Sequence, residues 1–552
     1  MVSPVPRRDT VRILPFGDRA VLAEVDSLAA VIALHAALAA DRPAGVVDLV
    51  PAARTVLVHV DPVRLSLAAA RAWIAATDPH TAATSAPAPT VELPVVYDGA
   101  DLGDLADLLG LSPEALVARH AAAVWTVAFT GFAPGFGYLV SDDWPFDVPR
   151  LASPRTRVPA GAVGLAGPFA GAYPRETPGG WQLIGTTPAA LFDPDADPPA
   201  LLTPGARVRF VPIAPAPPAP AAPASVREQP AAEATGATRA LGAEVHSHRP
   251  DSPDPVPIPD PTPAPAFEVL TTGPRATVQD LGRPGRLAEG IAVSGAADRA
   301  ALRTAHRLVG NPEDAAALEI TLGGFAARAR TDLWVAVTGA WAPIRIDGHP
   351  VDPYTAAPWP AGTDLRIDLA AHGARVYLAV RGGVDARPAV GSRSADTLSG
   401  LGPPPLAPGA VVALAGDPVV PVPPLDLHPW APPEDAVLEV PLAPGPRAAW
   451  FTDAARGALF EQTWTVSAAA DRVGIRLDGA PLERARDGEL PSEGMLPGAI
   501  QIPPSGLPVI LGPDGPVTGG YPVIAVVTDA ARDALAQARP GTRIRFRHAT
   551  LR

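Results

Sequence analysis

All 44 basic residues of this 552-residue chain are arginine; lysine is absent. Any fixed anion clamp therefore uses guanidinium forks, which recognise carboxylate or phosphate two oxygens at a time. One set, Arg150, Arg155 and Arg157, is interleaved with Pro154 and Pro159; a convergent oxyanion clamp and a solvated charged edge both fit that pattern. Just upstream, Thr130-Gly-Phe-Ala-Pro-Gly-Phe-Gly-Tyr-Leu139 alternates glycines with aromatics. Glycine lets a ligand approach the backbone, and the rings would wall a small pocket, although a loop packed by its own aromatics would read the same way. In the second half, Gln279, Asp280 and Arg283 place an amide, a carboxylate and a guanidinium beside a Pro284-Gly285 turn. Ser294 and Asp298 have the spacing of a helix cap as well as of a site. His120, near a helix end, suits packing or capping, and a general-base role would need a partner.

The absent residues exclude chemistry. Without lysine there is no Schiff base, no P-loop lysine and no biotinyl-lysine on this chain. Without cysteine there is no thiol nucleophile, disulfide or thiolate metal site. The only HxH, His246-Ser247-His248, falls in a Pro-rich stretch with no scaffold to fix ligands; there is no HExxH, so no metal site is expected. No GxGxxG follows a strand, which argues against a dinucleotide fold. A net charge of −13 argues against nucleic-acid binding. Arg7-Arg8 precedes no apolar run, and the apolar stretch Leu28 to Ala40 is too short to span a bilayer. The expectation is a soluble cytoplasmic protein.

The elements that must hold these residues announce themselves by repetition. Pro204-Gly-Ala-Arg-Val-Arg-Phe210 returns as Pro540-Gly-Thr-Arg-Ile-Arg-Phe546. A Gly-Gly-aromatic step precedes each copy, Gly179-Gly180-Trp181 and then Gly519-Gly520-Tyr521. Farther upstream stand Gly161-Ala162-Val163 and Gly498-Ala499-Ile500. Three landmarks in one order argue for a duplicated β domain whose copies face a shared cleft.

Patterning divides the chain as follows. Residues 1–80 read as a small α/β domain, with helices from Leu28 to Ala40 and from Asp61-Pro62 to about Ala76. Residues 90–213 begin with a strand and two short helices, then become short apolar runs broken by Gly and Pro, the pattern of a barrel or sandwich. Residues 214–266 are Ala- and Pro-rich and aperiodic, and read as a disordered linker able to span at least about 40 Å. Residues 267–430 form a first β domain of the second half, with strands at 333–338, 374–380 and 411–415 and a helix from Asp298 to Leu308. Residues 431–552 form its second β domain.

These segments resemble a known pair of proteins. The first half is similar to the B-type subunits of 5-oxoprolinase, the KipI-like or allophanate hydrolase subunit 1 family, through Val91–Asp98, Val117–His120, Gly131–Leu139, Pro154–Gly161 and Pro178–Trp181. The second half is similar to the C-type subunits, the KipA-like or allophanate hydrolase subunit 2 family. Its carriers are Thr277–Arg283, Val293–Asp298, Leu308–Asn311, Leu318-Glu319, Gly391–Ser394, Asp471-Arg472, Ser492–Gly494, Gly498–Gln501 and Thr518–Pro522. The same module forms the carboxyltransferase part of urea carboxylase. Four positions depart from the families' pattern: Ala162 for Ser, Thr186 for Arg, His306 for Asn and Ala395 for Thr.

The resemblance implies a mainly β fold, with cyclophilin-like barrels in both halves beside the small N-terminal α/β domain. It implies ATP-dependent opening of the 5-oxoproline lactam to glutamate with a separate A-type partner protein, ATP with Mg2+, and no biotin attached to this chain. A carboxyltransferase acting on urea or a related amide, and a regulator of a sensor histidine kinase, are the alternatives. Candidate acid, base or polarising groups are Asp280, Glu319, Glu493 and His120. Candidate substrate-binding residues are Arg155, Arg283 and Arg472 for the anion, Gly135, Gly179, Gly180, Gly519 and Gly520 for backbone donors, and Gln279 and Tyr521 beside them. No nucleic acid, membrane or metal partner is expected, and the two halves are expected to associate.

Overall fold

A computed structural model of the chain describes residues 11–78, 90–153, 155–215, 264–416, 420–424, 428–433, 436–488 and 490–550. Most of the expected linker, His246 and His248 included, lies outside the described residues. Among the described residues, no helix is long and apolar enough to cross a membrane.

The N-terminal domain is a four-stranded antiparallel sheet in the order Arg12–Phe16, Ala20–Glu24, Thr55–Val60, Val46–Pro51. Its helices, Leu28–Ala40 and Leu67–Ala76, start at Ser27 and Ser66, whose hydroxyls accept the N–H groups of Ala30 and Ala69. The second helix begins six residues after Asp61. Asp61 closes a local turn by accepting the Val63 N–H at 3.1 Å, so the helix waits for the next good cap, Ser66.

The first barrel has seven strands in the order Gln182–Thr186, Ala162–Ala166, Phe169–Ala172, Gly137–Val140, Trp125–Thr130, Arg207–Pro212, Thr90–Val95. Reciprocal 2.8 Å hydrogen bonds between Val96 and Thr186 join its two edges. The second barrel closes fully through Val437–Pro444, Val523–Val527, Ala499–Gln501, Val509–Leu511, Gly474–Asp478, Trp464–Val466 and Arg543–His548.

The repeated passage occupies one place in both barrels. Arg207–Pro212 runs parallel to Thr90–Val95 and pairs Val208 with Trp125. Arg543–His548 runs parallel to Val437–Pro444 and pairs Ile544 with Trp464. In both copies the apolar residues point inward, Val208 and Phe210 or Ile544 and Phe546. Each buried tryptophan donates its indole N–H to the carbonyl five residues upstream, His120 or Leu459, at 3.1 Å. A two-stranded ribbon leaves each barrel. Thr177–Gly179 pairs with Arg155–Val158, and Thr518–Gly519 pairs with Glu493–Gly494.

Between the barrels in sequence, a six-stranded and a five-stranded sheet enclose a core containing Phe267, Phe325 and Trp359. Strands Leu333–Trp341, His372–Val380 and Val411–Ala413 and helix Arg299–Val309 realise the expected elements. Its first strand, Pro265–Thr272, starts inside the segment expected to be linker.

The halves share one core, in which Phe16, Leu22, Val50 and Leu57 pack with Leu287, Met495, Val517 and Val526. Buried Asp48 accepts the N–H groups of Gly285 and Leu287, each at 3.1 Å. The Ala53 N–H reaches the Ser492 carbonyl at 3.1 Å, and Gly17 that of Pro444 at 3.0 Å.

Candidate functional site

The two ribbons converge on one cavity of about 240 Å³. The first half supplies Phe132, Phe136, Tyr138, Tyr173, Trp181, Arg150, Gly179 and Gly180; the second supplies Ser492, Pro516, Thr518 and Gly519. The cavity therefore exists only where the halves meet.

The aromatic wall comes from the Gly-Phe-Ala-Pro-Gly-Phe-Gly-Tyr run. Phe136 stands edge-on to Tyr138, Tyr173 and Trp181, with centroids 5.1, 5.1 and 5.3 Å away. Phe132 has a φ of +66°, which bulky residues rarely adopt, and the residue is 40% exposed. The second half contributes to holding it, because the Phe132 N–H donates to Thr518 Oγ1 at 3.3 Å. Gly131 lies so close that a Cβ there would run into the Thr518 side chain. Thr130 Oγ1 also donates to the Ala288 carbonyl across the same seam.

Arg150 is the cation among the described lining residues. It is exposed and has no carboxylate partner among the described residues. Burial pushes the Tyr138 and Tyr173 hydroxyls up to about 12, with Arg150 opposing in both, so both stay protonated at neutral pH. The site thus offers one guanidinium, phenolic and aliphatic hydroxyls, and flat apolar walls. That set suits a small planar anion with a carbonyl to polarise.

The structure brings some of the expected residues together here and takes others elsewhere. Gly179, Gly180 and Gly519 line the cavity. Their lack of a side chain serves close packing: a Cβ on Gly179 would sit 2.6 Å from the Tyr173 hydroxyl, and one on Gly519 2.8 Å from Gln501 Nε2. Gly520 is next in the chain, with the Leu490 carbonyl 2.9 Å from where its Cβ would be, and Tyr521 follows at 45% exposure. Arg155 pairs across the ribbon with Gly179, but its guanidinium goes to Asp101 at 2.6 Å and the Trp181 carbonyl at 3.4 Å. Glu493 takes the matching ribbon position opposite Gly519. Its buried carboxylate is held by Arg447, which Glu24 shares, and burial pushes its pKa up. Gly135 turns the aromatic loop at φ +81° against Leu191 and Phe192.

The remaining expected residues lie away from this cavity, all of them buried except the half-buried Asp280. Arg472 is fully enclosed with Glu319 at 2.7 Å and Asp514 at 2.9 Å, and those guanidinium contacts hold both carboxyls down. Arg283 donates to the Ala389 and Ser394 carbonyls at 2.8 and 2.5 Å. Gln279 donates to the Ala395 carbonyl at 2.9 Å, and Asp280 accepts from Gly282, Ser392, Arg393 and Ser394. His120 is enclosed by Trp125, Trp144 and Phe210, with Tyr97 at 2.8 Å from Nδ1; burial pulls its pKa down to about 3.

Of the four departures from the family pattern, Ala162 and Thr186 face each other in one strand pair. Thr186 donates to Asp98 at 2.9 Å. His306 is buried beside Asn311, and Ala395 contributes through its carbonyl. Sequence reasoning does not single out Tyr173 or Pro516, and it names Ser492 and Thr518 only inside segments that carry the resemblance, with no role for either. Nothing local marks Thr518, the residue before a Gly-Gly step, or Ser492 as facing the other half.

Residues 289–548 match the family described as carboxyltransferase domain, subdomain A and B, and residues 11–202 match carboxyltransferase domain, subdomain C and D. The chain is similar to the C subunit of 5-oxoprolinase from Escherichia coli (strain K12), 37% identical over 292 residues, 51% of this chain and 90% of that protein. It is also similar to the B subunit of 5-oxoprolinase from Escherichia coli O157:H7, 53% identical over 125 residues, 22% of this chain and 57% of that protein. A crystal structure of the protein TTHA0988 is 34% identical and superposes with a TM-score of 0.78, covering 96% of this chain and 99% of that one.

Proposed function

Because this chain belongs to the carboxyltransferase-domain family and carries both of its subdomain pairs in one polypeptide, we propose that it acts as a fused B/C-type subunit of an ATP-dependent 5-oxoprolinase. The observation that carries the reading is the cavity that neither half forms alone, lined by Arg150, which meets no carboxylate among the described residues. Similarity to a named B subunit and a named C subunit of 5-oxoprolinase supports it.

In this reading the carboxylate of 5-oxoproline pairs with Arg150, and the lactam ring lies between Phe132, Phe136 and Trp181. The phenolic O–H groups of Tyr138 and Tyr173, kept protonated by burial, donate toward the lactam carbonyl oxygen as charge builds there. The aromatic walls exclude water and strengthen those hydrogen bonds. Thr518 fixes the position of Phe132 from the other half. The cavity does not fit ATP with Mg2+: one guanidinium does not match a triphosphate, and about 240 Å³ lies below the usual range for larger ligands. No phosphoryl-transfer step is assigned to it. Any biotin would arrive on another protein, since this chain has no lysine.

The test is reconstitution with an A-type partner protein, ATP and 5-oxoproline, measuring glutamate and ADP with each component omitted. Glutamate is expected only from the complete mixture. Glutamate from this chain alone, or no 5-oxoproline-dependent ADP in the full mixture, overturns the reading.

A further inference from the structure

We propose that a second cavity, where the N-terminal sheet, the middle β domain and the second barrel meet, binds a small phosphate-bearing anion. Its volume is about 290 Å³, and it shares no lining residue with the first cavity. The inference stands apart from the 5-oxoprolinase reading.

The wall is rich in donors for its acceptors. Arg19, Arg299, Arg303 and Arg532 line it, against the carboxylates Asp18 and Asp529. Asp529 alone receives three guanidiniums, from Arg19 at 2.7 Å, Arg299 at 2.8 Å and Arg532 at 3.1 Å. Each guanidinium carries five N–H donors, whereas a carboxylate has two oxygens. Asp533 relieves Arg299 at 2.9 Å from outside the wall. Asp18 uses Oδ2 to accept the Asp529 N–H at 3.1 Å. Arg532 is hydrogen-bonded only to the shared Asp529 among the described carboxylates, with Asp533 adding a longer-range attraction. Burial first, and the neighbouring Arg299 second, pull its pKa down to about 10 against the opposing attraction of Asp529 and Asp533.

Two further groups are poised at the same place. Arg303 is loosely held, with Nε 3.6 Å from Glu313, whose carboxylate is gripped by Arg307 at 2.5 Å. Among the described residues, His59 Nδ1 is buried without a hydrogen bond; the Asp48 carboxylate is 3.7 Å away and accepts two backbone N–H groups of the other half. A phosphate offers three or four oxygens to such a surplus, more than a carboxylate does. The rest of the wall is apolar, including Phe16, Val293 and Leu496, and would receive the body of a small phosphate ester.

Inorganic phosphate is the probe, titrated into the full chain by calorimetry at low ionic strength, with glutarate in parallel as a carboxylate dianion. Saturable phosphate binding, weak or absent glutarate binding and a phosphate-dependent rise in Tm are expected. Arg303→Ala, which leaves the Asp529 cluster intact, raises the phosphate Kd about tenfold, and Arg532→Ala by at least that factor. If Arg532→Ala does not fold, Arg303→Ala decides. No saturable phosphate binding, glutarate binding as tight as phosphate, or an unchanged Kd in Arg303→Ala overturns the proposal.

Discussion

The backbone N–H of Phe132 is hydrogen-bonded to the hydroxyl of Thr518, 386 residues away, at 3.3 Å, and this bond links the two halves at the cavity wall. A bulky residue held at positive φ costs about 1–3 kcal/mol, which the surrounding structure must offset. Thr518→Val keeps the shape but removes the acceptor. Reconstituted kcat/KM is expected to fall about tenfold, for a loss near 1.4 kcal/mol, with Thr518→Ser restoring most of it. A Val variant with full activity would show that the bond does not matter for turnover.

Arg150 is exposed, so its removal should not disturb folding. Arg150→Ala is expected to raise KM for 5-oxoproline about tenfold or more, the value of one charge-assisted contact. Arg150→Lys should recover only part of that, because the fork geometry is lost. Melting curves should overlay. Unchanged KM would move the carboxylate clamp elsewhere.

Arg472 should behave in the opposite way. It sits between buried Glu319 and Asp514, and deleting it leaves two uncompensated carboxylates, which costs about 3–5 kcal/mol. Arg472→Ala should therefore melt far below the wild type. A folded variant that only loses activity would return Arg472 to the substrate contacts.

Acid should weaken the protein through its buried histidines. The His120 pKa falls from 6.5 to about 3, and that of His306 to about 4. Between these values and 6.5 the unfolded chain binds protons that the folded chain refuses. The stability is complete above pH 6.5 and is lost as pH falls toward the folded values, at up to about 1.4 kcal/mol per pH unit and group. Leu459 holds the place of His120 in the other barrel. His120→Leu should flatten the slope of stability against pH without lowering turnover in the reconstituted assay. An unchanged slope, or lost turnover in a folded variant, would count against a purely packing role.

The halves should stay together without a covalent joint. A protease site inserted near Ala232 and then cut should leave one peak on size exclusion at micromolar concentration, because the shared core and the Asp48 and Arg19 contacts cross the seam. Two separate peaks would show that the chain connection is required.

Much of the architecture is legible because strand placement depends on local alternation. Val208 and Phe210, like Ile544 and Phe546, must turn inward while their arginine neighbours turn out, so the repeated passage alone locates equivalent strands. The Gly-Gly steps mark the two ribbons for a similar reason: only a residue without a Cβ fits where Tyr173 or Gln501 presses on the backbone. The helix after Asp61 starts later than its pattern suggests, since a turn and a cap share the same residue types.

By itself the sequence determined a duplicated, mainly β protein whose basic side chains are all arginine and whose glycine-rich loop between Thr130 and Leu139 is interleaved with aromatics. Only the tertiary structure decided which arginines are free. Arg283, Arg472 and Arg150 are identical in type, yet Arg472 meets Glu319 and Asp514, Arg283 meets the carbonyls of Ala389 and Ser394, and Arg150 meets no carboxylate among the described residues. Arg472 takes its partners from residues as far as Glu319 and Gly295, 153 and 177 positions away in the chain. Coulombic pairing depends on distance in space, and folding sets that distance.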